Sequence, residues 1–134
     1  MSTNVFLEHF PAAPPAPLAD VLALFSPYGE ITHIDERFEV AFTDGQPARL
    51  AWIDSSDDIS VDAIGFEDAD LADPLRHLVY AAMQRFGFVA LDDDGRHAYV
   101  RSGLAHAVPA PLLQDLPGGL IEVSHPGELW PGEH

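Results

Sequence analysis

The 134-residue chain has no cysteine and no lysine, six arginines are its only fixed cations, and no apolar run in it is long enough to span a bilayer. Each absence excludes a class. Without cysteine there are no disulfides, no thiol catalysis, no iron–sulfur cluster and no cysteine-type zinc site. Against six bases stand 22 acids, a formal charge of −16. Such a field repels phosphate, so nucleic acid and anionic membrane surfaces are disfavoured as partners. It would steer a basic protein surface inward, and it also keeps a small domain soluble. The opening MSTNVFLEHFP has neither a basic n-region nor a long apolar h-region, so a cytoplasmic location is expected.

What is present reads as one α+β domain over residues 1–116, followed by a Pro/Gly-rich tail over 117–134. NVFLEHF alternates as a strand, with Val5 and Leu7 on one face and Phe6 and Phe10 on the other. The prolines of PAAPPAP interrupt regular structure until Pro17, which suits the first position of a helix carrying Leu18, Val21, Leu22 and Phe25 on one side. The most strand-like stretch is expected next, from near Ile31 to Phe66, as a three-strand antiparallel meander: Arg37–Thr43, a second strand ending at Asp54, and Ile59–Phe66.

Asp73 and Pro74 open the clearest helix, Leu75, Leu78, Val79, Ala82, Met83 and Phe86 form its apolar stripe, and Gly87 closes it. On this pattern Arg76, His77, Gln84 and Arg85 take the wetter side. FVAL and HAYVRS then read as a hairpin. Residues 109–116 suit one or two helical turns with Leu112, Leu113 and Leu116 inward, and Leu120–Val123 suits a short strand. The expected architecture is an antiparallel sheet of N-terminal strand, meander and C-terminal hairpin, with the two main helices packed on one face.

The acidic stretch Asp92-Asp93-Asp94-Gly95 raises a calcium reading. An EF-hand register, set by glycine at the sixth position, would begin at Ala90 and end at Arg101, placing a methyl group and a cation where ligands belong. A hairpin turn accounts for the stretch better. The seven histidines show no i, i+4 helical pair and no HExxH context. There is no GxSxG, Walker or GxGxxG motif, so no catalytic residue, cofactor or metal ligand is assigned.

The densest feature is the tract from Asp54 to Asp73, with Asp57, Asp58, Asp62, Glu67, Asp68 and Asp70 and no intervening base. It reads either as a docking surface for a basic partner or as acids recruited separately by turns, caps and a helix N-terminus. Trp52 and Tyr99 lie in expected strands and would form an adhesive patch if one sheet face were bare. The candidate partner-binding set is therefore Asp54, Asp57, Asp58, Asp62, Glu67, Asp68, Asp70, Trp52 and Tyr99.

Two resemblances follow from these segments. NVFLEHF with LADVLALFSPYGEI resembles the opening strand and helix of an RNA-recognition motif over about a quarter of the chain, while RFEVAF lacks the glycine and basic character of that family's second contact strand. From Leu18 onward the order of helix, strands, helix, hairpin is similar to class I type III secretion chaperones, and FVALDDDGRHAYVRSGL resembles the hairpin after their second helix. The latter resemblance implies a non-enzymatic, chaperone-like or adaptor module, monomeric or homodimeric, that holds another protein. An immunity or antitoxin-type inhibitor of a basic enzyme is the alternative within that class. From another class, a small metal-binding protein or enzyme using the acidic hairpin stays open.

Overall fold

The computed structural model describes residues 3–10, 15–43, 47–93, 97–112, 114, 116 and 118–131. Eight strands form one sheet: β1 Thr3–Glu8, β2 Gly29–Ile34, β3 Arg37–Phe42, β4 Leu50–Asp54, β5 Ala63–Ala69, β6 Val89–Asp92, β7 His97–Arg101 and β8 Gly119–Val123. Their spatial order is β2-β3-β4-β5-β1-β6-β7-β8. Helix α1 spans Leu18–Phe25 and α2 spans Asp73–Phe86. The class is α+β as expected, but the sheet is mixed: β8 runs parallel to β7 while every other pair is antiparallel. A hairpin reverses direction, whereas the longer connection through 102–118 carries the chain back to the start of β7 before β8 begins.

The meander has four strands rather than three. β2 precedes it, joined to β3 through Asp35-Glu36, with Asp35 at a φ of 54°. Its residues are mostly exposed, so it carries little of the alternation that marks a half-buried strand. The last meander strand begins at Ala63, not Ile59. Residues 59–61 instead face the proline-rich connector, where Leu18 N–H donates to the Ile59 carbonyl and Val61 N–H to that of Ala16, both at 2.8 Å. Those bonds fix the entry into α1 and hold its first residue against the core.

Strand β1 lies in the middle of the sheet, between β5 and β6. In register, Val5, Phe66, Ala51, Val40 and Ile31 form one row across β1, β5, β4, β3 and β2, and Leu7, Ile64, Ile53 and Phe38 form the next. These rows share a cluster with Leu18, Val21 and Phe25 of α1 and Leu75, Leu78, Val79, Ala82, Met83 and Phe86 of α2. Each such large side chain removed from water stabilises the fold by roughly 1.5–3 kcal/mol. Gly87 closes α2 in the left-handed region, at a φ of 74°, and its N–H donates to the Met83 carbonyl at 2.9 Å. The alternate positions of β6–β8 bury in a second cluster, where Val89, Ala98 and Val100 meet Phe10, Val108 and Leu120. Over those three strands both sheet faces are covered, which explains the unbroken burial of Ala98, Tyr99 and Val100.

Beyond residue 116 the chain forms β8, over the segment Leu120–Val123 expected as a short strand, and then buries Leu129 and Trp130. Trp130 meets the Tyr99 ring edge-on at 5.4 Å. This packing reverses the expectation for Arg76: it is 5% exposed, and its Nη2 donates to the Trp130 carbonyl at 2.7 Å. The connector before β8 holds short 3-10 turns at Ala105–Ala107 and Ala110–Leu112, and Leu113 lies outside the described residues. So do Asp94 and Gly95; the strands on either side of them pair through Ala90 and Tyr99. No helix among the described residues is long and apolar enough to cross a membrane.

Candidate functional site

On β1–β5 the positions that alternate with the core rows are not closed over. Thr32 is exposed, Glu39, Trp52 and Phe6 are half-buried, and the register places them in one line with Gly65. Trp52 dominates this line. Its indole covers Gly65, where any side chain would meet the ring, and the Arg37 guanidinium lies over it at 4.9 Å from the ring centroid. The glycine thus makes room for the largest side chain on this face.

The adjacent line consists of Ile34, Arg37, Asp54, Ala63 and Glu8. Arg37 Nε stands 3.6 Å from Asp54 Oδ1, in a pair 47% and 39% exposed, so it adds little to stability. Here a cleft of about 1210 Å³ opens between the β2–β3 turn and the ends of β4 and β5. Asp35, Glu36, Glu39, Asp54 and Asp62 line it, with Arg37 as its only cation among the described residues. Ile34, 41% exposed, supplies an apolar lip. Carboxylates beside an aromatic face suit a cation, above all a planar guanidinium.

The acidic tract divides on folding. Asp54 and Asp62 reach the cleft, and Asp62 Oδ2 also accepts the Ser56 N–H at 2.8 Å. Asp57 turns into its own loop and accepts from Ser60 N–H at 2.8 Å, Ile59 N–H at 2.9 Å and the Ser55 hydroxyl at 3.4 Å. These bonds, that from Ser60 foremost, hold its carboxyl below the usual aspartate value. Glu67 and Asp68 accept from Arg49, at 3.3 Å and 2.8 Å, and Asp68 in turn raises the Arg49 guanidinium pKa. Asp58 and Asp70 are exposed away from the cleft lining. Tyr99 is 4% exposed in the main core against Trp130, so the fold separates it from Trp52.

Asp35, Glu36, Arg37 and Glu39 belong to the site without having been singled out in the sequence. The only local signal was the short Asp-Glu turn between two weakly alternating runs. The ring of carboxylates arises from pairing Ile34 with Arg37 and Arg37 with Asp54, a long-range register. Among the described residues no three His, Asp or Glu side chains converge to hold a metal ion. Comparison of the chain with protein-family models, with curated proteins and with solved structures finds no match to any of them.

Proposed function

We propose that this chain is a small acidic protein-binding module without catalytic activity, chaperone-like or adaptor in role, working in the cytoplasm. In this reading the two helices occupy one face of the sheet and leave the other, over β1–β5, for a partner with a basic surface. The observation that carries it is the half-buried Trp52, seated on Gly65 and flanked by the acidic cleft. An aromatic anchor within a charged rim is the usual make-up of a protein contact, where a few large side chains carry most of the affinity and the charges steer the encounter. The chain's own charge of −16 supplies that steering. The same cleft favours a second reading, an immunity-type inhibitor that caps a cationic enzyme cleft; loss of the partner's enzymatic activity on binding marks that case.

The test is retention of a partner from a host-cell extract on the immobilised chain, with three variants alongside. Trp52→Thr and Glu39→Lys alter the open face, and Gln84→Lys alters the exposed side of α2. A partner kept by the wild type and Gln84→Lys but lost by the other two, and released by salt of about 0.5 M where the Debye length is a few ångströms, supports the reading. A partner that ignores Trp52 and Glu39 yet is lost on Gln84→Lys refutes it.

A further inference from the structure

Arg37 occupies an unusual position. Among the described residues it is the one cation of a cleft lined by five carboxylates, its guanidinium lies over Trp52, and its Nε approaches Asp54. An aromatic face together with a carboxylate is the combination that recognises a guanidinium, and a lysine ammonium, with no planar fork, uses it less well. The occupant is loosely held: nearly half of the Arg37 side chain is in water and its carboxylate contact is 3.6 Å long.

We infer that the cleft is the seat for an arginine side chain of the basic partner, and that Arg37 is an internal stand-in which the incoming arginine displaces. This rests on the docking reading above and specifies the partner's chemistry. Four of the five carboxylates, Asp35, Glu36, Glu39 and Asp62, have no ion pair with Arg37, so charge complementarity calls for a cation from outside. A second copy of the chain is the wrong occupant, because each brings a charge of −16 and the same acidic cleft.

The test is calorimetric titration with an acetylated peptide of alternating glycine and arginine, and with its glycine–lysine counterpart. Four proteins are compared: wild type, Arg37→Ala, Arg49→Ala and Asp54→Asn. Arg49 lies just before β4, tied to Glu67 and Asp68, so its removal changes the net charge equally without opening the cleft. The arginine peptide should bind Arg37→Ala about five-fold more tightly than Arg49→Ala, the size of one exposed cation–π contact regained, and should bind Asp54→Asn more weakly than wild type. The lysine peptide should gain equally from either arginine substitution. Equal gains for the arginine peptide in Arg37→Ala and Arg49→Ala, or no binding to any of the four, overturn the inference. Failure of the docking reading appears elsewhere, in a natural partner that is indifferent to Trp52.

Discussion

The Trp52 indole covers the bare Cα of Gly65 on the neighbouring strand, and a Cβ built there collides with its Cε2, Cζ2 and Nε1 atoms. The pair sits at cross-strand register positions of β4 and β5. Gly65→Ala must lift the ring off the sheet, and a loss of about 1–3 kcal/mol in urea unfolding is expected. The double variant Gly65→Ala/Trp52→Ala should recover part of that loss, because the collision is gone. A cycle in which the two effects simply add would show that the ring does not rest on the glycine.

Arg76 ties α2 to the C-terminal segment. Its Nη2 bond to the Trp130 carbonyl is buried, and its Nη1 reaches an Asp73 carboxylate that is 79% exposed. Arg76→Ala removes the donor and leaves the carbonyl buried, so a loss of about 2 kcal/mol is expected, with a red shift of tryptophan emission as Trp130 gains water. Unchanged emission would mean that the packing of Trp130 in the core, against Tyr99 and its neighbours, holds it in place without the Arg76 bond.

Phe66 lies between Phe25 of α1 and Phe42 of β3, with ring centroids 5.9 and 6.2 Å away. Phe66→Ala should cost about 3–5 kcal/mol, the largest single effect among the substitutions considered. Thermal or urea unfolding measures it directly.

The Asp57 carboxyl is held below the usual value near 3.8 by the N–H groups of Ser60 and Ile59 and the Ser55 hydroxyl. A depressed native pKa means the group stabilises the fold at pH values above its unfolded pKa, and that contribution disappears as the pH falls through the native pKa. Asp57→Ala should therefore melt below wild type at neutral pH, with the gap closing only below about pH 3.8. A gap that closes already between pH 7 and 5 would assign the stabilisation to another group.

Much of this architecture can be read from residue order. The stripe from Leu75 to Phe86 with its closing Gly87, the alternation of Val5 and Leu7, and Phe38, Val40 and Phe42 in β3 all follow local periodicity, and each appears in the fold. The stretch from Ile31 reads as strand-like, but β2 does not stand out as a strand of its own because an edge strand with water on most positions has no apolar rhythm to display. The parallel pairing of β8 and the burial of Arg76 and Trp130 depend on where the chain returns in space, which no local spacing encodes. The site divides in the same way. Trp52 is recognisable as a strand aromatic, but its separation from Tyr99 and its place beside Arg37 and Glu39 follow from register across strands.

The chain has two tryptophans, Trp52 over Gly65 and Trp130 against Tyr99, so the docking proposal can be tested with a single spectrum. In a nitrogen-15-labelled sample titrated with the captured partner, the indole N–H resonance of Trp52 should move or broaden while that of Trp130 stays in place. Movement of Trp130 with Trp52 unmoved would contradict the account.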